Sequence, residues 1–129
     1  MSYKGSFSIQ KWDEETLNEK SEGVKTSHAT IKQTYTGDMS GESDVEFLMS
    51  YQSETKAKFV GFEFFVGVID GARGSVTLQH NGRFENGVAS SAFTSIEDSA
   101  TGELAGRIIT GSFRSGESGV ADYELTLAS

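Results

Sequence analysis

From Tyr3 to Leu127 the chain alternates polar and apolar residues with a period of two, in runs punctuated by glycine-containing turns. That period sends successive side chains to opposite faces of a strand, so such a chain must bury one face of a sheet. Helical periodicity is nearly absent. The reading predicts about eight strands, near 3–12, 24–35, 45–52, 57–69, 75–81, 88–95, 107–115 and 120–127. One face of the first strand carries Tyr3, Gly5, Phe7 and Ile9, and one face of the second Ala29, Ile31 and Tyr35. In the third, Val45, Phe47, Met49 and Tyr51 alternate with Glu46, Leu48, Ser50 and Gln52, and the last is expected to turn Ala121, Tyr123, Leu125 and Leu127 inward. Segment 13–23 is polar and acidic and reads as a long loop, with room for one helical turn at 14–18. Asp70-Gly71, Asn81-Gly82 and Asn86-Gly87 are turn dipeptides.

Fifteen glycines accompany no proline in 129 residues. Proline is one of the devices that protect exposed sheet edges, and closing the sheet removes the edges altogether. The fold class is therefore an all-β, eight-stranded antiparallel barrel forming one domain over 1–129. Without cysteine, disulfides, thiol nucleophiles and thiolate metal sites are excluded, and a cytoplasmic setting is expected. A net charge of −8 with scattered lysines and arginines argues against nucleic acid. No stretch reaches the ~20 apolar residues of a membrane span, and no membrane partner is expected.

One hexapeptide pattern occurs twice. Thr36-Gly37-Asp38-Met39-Ser40-Gly41 returns 65 residues later as Thr101-Gly102-Glu103-Leu104-Ala105-Gly106. Glycine before an acidic residue suits a sharp turn, and a buried Met39 or Leu104 would pin each turn to the core. The pattern predicts two similar corners of the barrel. The halves do not otherwise align.

Register arithmetic suggests a site. If Asp70-Gly71 sits in a two- or four-residue loop, Glu63 pairs with Leu78 or His80, and Glu63 and His80 share a face. An even loop at 53–56 would add Glu46 opposite Glu63, among Phe59 and Phe65. Polar groups in apolar surroundings must be paired with each other or with a ligand. Glu46, Glu63, His80, Phe59 and Phe65 are the candidate lumen residues for ligand binding. Two facing carboxylates would raise one pKa, as a general acid needs, with His80 as a proton shuttle. The alternative register face, with Thr77 and Gln79, would instead put these groups outside.

The strand near 57–69 is apolar on both faces: Val60, Phe62, Phe64, Val66 and Val68 on one, Phe59, Gly61, Phe65 and Gly67 with Glu63 on the other. One face fills the barrel and the other needs a cover. A homodimer through strands three to five is expected, the alternative cover being the 13–23 segment.

Remaining motifs carry no chemistry. His28 and His80 lack metal-ligand spacing, so no metal is expected. Gly37 and Gly41 lack the ending and helix of a phosphate loop, no serine sits in a nucleophile elbow, and no cofactor is expected. Trp12 could plug a barrel end, although core packing is its more ordinary role.

Thr36-Gly37-Asp38-Met39-Ser40-Gly41-Glu42-Ser43 leading into Val45-Glu46-Phe47-Leu48-Met49 resembles a bacterial family of unknown function. So do Val60-Gly61-Phe62-Glu63, Leu78-Gln79-His80-Asn81-Gly82 and Gly102-Glu103-Leu104-Ala105-Gly106, in order and spacing, over nearly the whole chain. The Thr-Gly turn of the second half is similar to one in allene oxide cyclases and dirigent proteins. The resemblance implies the allene oxide cyclase-like barrel and no activity, since the cyclase pattern is not matched beyond the turn.

Three functions follow from these residues. The first is a lipocalin-like barrel binding a small apolar or amphipathic molecule, suggested by nine phenylalanines, four tyrosines and one tryptophan. The second is an isomerase or cyclase using Glu63, His80 and Glu46. The third is a structural or oligomeric protein without ligand. A lumen packed solid would exclude the first two.

Overall fold

A computed structural model describes residues 2–116 and 120–128. Eight antiparallel strands close into a barrel in sequence order: β1 (Ser2–Ser21), β2 (Val24–Gly37), β3 (Met39–Ser53), β4 (Lys56–Ile69), β5 (Ala72–Glu85), β6 (Val88–Ser95), β7 (Ile108–Ser115) and β8 (Val120–Ala128). A 3-10 turn, Gly102–Leu104, lies in the connection between β6 and β7. No helix among the described residues is long and apolar enough to cross a membrane.

The expected number of strands holds, and β8 turns Ala121, Tyr123, Leu125 and Leu127 inward. Asp70 and Gly71 both take positive φ (48° and 78°), as do Asn86 and Gly87 (51° and 84°). Those are the two-residue hairpin turns whose backbone twist matches the flanking strands. Asn81-Gly82, read as a third turn, instead lies inside β5. A side chain at Gly82 would meet the Phe59 ring at 2.4 Å, so this glycine admits the aromatic core against the backbone.

Segment 13–23 is not a loop and carries no helical turn: 13–21 continues β1 as an arm paired to β2, from Asp13–Thr30 to Ser21–Val24. One irregularity, between Ile9 and Lys11, precedes the arm and two lie within it, and β8 pairs with β1 only as far as Ser8. The arm therefore stands beyond the ring, exposed on both faces, with bulges that blunt its free edge.

The repeated hexapeptides close one end of the barrel by different means. After the first, the chain passes from β2 into β3 across Asp38, and Met39 opens the strand fully buried. The second forms the 3-10 turn, with Leu104 equally enclosed. It runs beside the start of β5, where Thr101 bonds the Ser75 backbone in both directions and the Glu103 carboxylate accepts from the Arg73 backbone N–H. Tyr123 ties the first corner to β8, its hydroxyl accepting from Met39 N–H at 2.7 Å and donating toward the Thr36 carbonyl at 2.9 Å.

Candidate functional site

Residue parity along β4 and β5 decides which polar groups are enclosed. The Asp70-Gly71 turn fixes Glu63 opposite Leu78 and His80 opposite Gly61, so both side chains point inward, each about 1% exposed. Phe59 and Phe65 are buried on the same face. Glu46 does not join them. An irregularity between Tyr51 and Ser53 makes the β3–β4 count odd, so Val45 faces Glu63 and Glu46 faces Phe62. Glu46 points outward and pairs with His28 at 3.0 Å.

Around Glu63 a string of polar side chains crosses the interior from β2 to β6. Tyr35 donates to Glu63 Oε2, and the Gln33 amide nitrogen approaches the same oxygen at 3.4 Å. His80 Nε2 lies 2.7 Å from Oε1, and His80 Nδ1 lies 2.9 Å from Ser91 Oγ. Ser91 in turn donates to the Ala92 carbonyl at 3.2 Å. Against an ionised carboxylate, which only accepts, Nε2 is the donor, and Nδ1 is engaged by the Ser91 hydroxyl. Ser43 is buried beside the string, and its hydroxyl has no hydrogen-bond partner among the described residues.

Electrostatics agree with this assignment. Burial pushes the Glu63 carboxyl up, but the His80 hydrogen bond and charge, helped by the nearby Ser43 hydroxyl, which falls short of hydrogen-bond geometry, and by Tyr35, outweigh it and hold its pKa below the ordinary carboxylate value. Tyr35 is held well above its ordinary value by burial first and then by the Glu63 charge. Both carboxylate oxygens and both imidazole nitrogens are thus occupied by protein groups. Aromatic rings complete the enclosure: His80 lies 5.3 Å from Phe47, 5.2 Å from Phe93 and 5.6 Å from Phe113, centroid to centroid.

Beyond Phe47 and Phe113 the barrel opens into a cavity of about 530 Å³ at the end opposite the hexapeptide corners. Its wall is apolar, built from Phe7, Ile9, Ile31, Met49, Phe59, Phe84 and Ala89 with those two rings. Gln33 and Ser115 are the polar side chains among its described lining, and no lysine, arginine or histidine is present there. Glu63 and His80 do not line it; they lie one aromatic layer deeper. Gln33 joins the two regions. Its amide N–H₂ faces the Glu63 carboxylate, an acceptor only, and the same residue lines the cavity.

Trp12 stands at the mouth, 42% exposed rather than packed in the core. A second carboxylate network positions it: Glu14 accepts from Trp12 Nε1 at 3.1 Å, Ser27 Oγ at 2.6 Å and Tyr51 OH at 2.7 Å. Burial pushes Glu14 up, and those three donors together bring its pKa below the ordinary value. Sequence reasoning missed Glu14 because the polar arm was read as a loop. It also passed over Gln33, although a polar residue at the inward parity between Ile31 and Tyr35 was a legible signal. No group of three His, Cys, Asp or Glu side chains that could hold a metal converges among the described residues.

The fold and cavity define a small closed β-barrel with an internal apolar pocket above a sealed Glu63–His80 pair. A family model described as "Protein of unknown function (DUF3224)" matches residues 3–127, and the chain belongs to that family. A crystal structure of a family member of unknown function from Shewanella oneidensis MR-1 is 26% identical, with a TM-score of 0.76. The match covers 99% of this chain and 96% of that one. A search of curated proteins finds no match.

Proposed function

We propose that the protein is a binding module that takes one small apolar or amphipathic molecule into the cavity above Phe47 and Phe113. The cavity itself carries the reading: about 530 Å³ with an aromatic and aliphatic wall falls in the range of small-molecule sites. Its chemistry narrows the occupant. With no cation in the described wall, an ionised carboxylate or phosphate inside would be left unpaired. The Gln33 amide suits a neutral molecule bearing a hydroxyl or N–H donor. The isomerase or cyclase reading is less well supported, because Glu63 and His80 have no free heteroatom to present to a substrate and do not line the pocket.

The test is titration with N-phenyl-1-naphthylamine, a neutral apolar amine that fluoresces on leaving water. One saturable site per chain is expected, with energy transfer from the single Trp12 at the mouth. Ala89→Phe, which fills the pocket, should weaken binding at least tenfold without lowering the melting temperature by more than a few degrees. Probe uptake that Ala89→Phe leaves untouched would place binding elsewhere and sink the proposal.

A further inference from the structure

The outer face of β4 is the least soluble surface of the molecule. Val60, Phe62, Phe64 and Val66 form an unbroken row along it, and Leu48 of β3 extends the row sideways beside Val60. Each is between 47% and 52% exposed, and the β1 arm, which pairs with β2, does not reach over them. Together they present roughly 400 Å² of apolar side chain, the size of the largest patch on a typical monomer, which is often functional.

Charge on the two flanks is unlike. The β3 flank carries Glu42, Asp44 and Glu46, opposite Val66, Phe64 and Phe62. Lys32 and His28 reach Asp44 and Glu46 from the far side, and Glu42 has no ion-pair partner among the described residues. The β5 flank carries no carboxylate between Arg73 and Arg83; Ser75, Thr77, Gln79 and Asn81 lie between them. Neither arginine is in an ion pair among the described residues, and both are exposed.

We infer that the partner is a second copy of this chain, packed β4 on β4 about a two-fold axis running nearly along the strand. A two-fold perpendicular to the strand would lay one acidic row on the other. A two-fold along the strand places the β3 flank of each copy over the β5 flank of its mate, bringing Glu42 toward the end that carries Arg73. Such an interface is self-complementary. It buries both aromatic rows, and the polar flanks bring the contact toward the ~800 Å² per partner of a stable interface. A membrane surface is the poorer occupant, because acidic lipid headgroups would meet an acidic rim on a chain of net charge −8.

Analytical ultracentrifugation from 1 to 100 µM tests this. The expected result is a species of twice the 13.9 kDa chain mass. Phe62→Lys should give a monomer with an unchanged β-sheet circular dichroism spectrum, and Val66→Lys is a second, independent probe should Phe62→Lys fold poorly. Glu42→Arg should weaken association about tenfold, and Arg73→Glu added to it should restore most of the loss. Wild-type protein that stays monomeric at 100 µM would refute the inference. So would a dimer unaffected by both lysine variants, or a monomer that floats with neutral phosphatidylcholine vesicles. A larger increase in association on neutralising Glu42, Asp44 and Glu46 together than on neutralising Glu15, Glu19 and Glu22 of the arm and its turn would refute the axis, since facing acidic rows gain more than the net charge of −8 explains.

Discussion

At one end of the barrel Met39 and Leu104 are wholly enclosed, and the Tyr123 hydroxyl stitches β8 to the β2–β3 corner. At the other, Trp12 stands over an open cavity beside a strand arm exposed on both faces. The same eight strands make both ends. What differs is the supply of inward side chains and of backbone to cover them. The closed end has the β6–β7 connection, which folds its 3-10 turn over the core. Among the described residues of the open end, the β1 arm rises past the ring without crossing it. Between them the Glu63–His80 pair forms a floor, so the packed end and the cavity are kept apart.

Breaking the floor should have the largest effect. Glu63→Gln removes the carboxylate that anchors the buried His80 and Tyr35 side chains, and a loss of about 3–5 kcal/mol of unfolding free energy in urea is expected. An unchanged urea midpoint would mean that the pair is not structural. Its pH signature follows from the depressed pKa. The pair's stabilisation is whole above the ordinary value of 4.5 and is lost as pH falls through the lower folded value. The melting temperature of the wild type should therefore drop more steeply below pH 4.5 than that of Glu63→Gln.

Leu104→Ala addresses the closed end. Removing a fully buried leucine should cost about 2–4 kcal/mol, while the affinity for N-phenyl-1-naphthylamine stays within a factor of two. A parallel loss of probe binding would show that the ends are coupled. The smallest effect belongs to the open end. Glu14→Ala should cost about 1 kcal/mol and free the indole, lowering Trp12 fluorescence anisotropy. An unchanged anisotropy would show that Glu14 does not position the ring.

Much of the barrel was legible because its signal is local. Period-two alternation assigned faces to Phe7, Tyr35, Phe47 and Leu125 without knowledge of their neighbours, and Asp70-Gly71 fixed the register of Glu63 against His80. The failures lie where a non-local or silent feature intervenes. Glu46 was misplaced by one irregularity at Gln52, which no glycine or proline marks, and a single residue of slip inverts every face. The arm was misread because a strand exposed on both faces has no apolar face to alternate. Asn81-Gly82 has turn composition, yet its glycine is there to let the Phe59 ring approach. The doubly apolar β4 was visible from sequence, but not which of its faces would be left bare.

The pairing of β1 with β8 sets Ser6 against Asp122, more than a hundred residues apart in the chain. Until β8 has been synthesised the sheet stays open along β1 and β7. For most of its translation the nascent protein thus exposes two unsatisfied edges together with the bare row on β4. Contacts of such sequence separation fold slowly. With no proline in the chain, that delay owes nothing to peptide-bond isomerisation. It is the interval in which a chaperone has most to do.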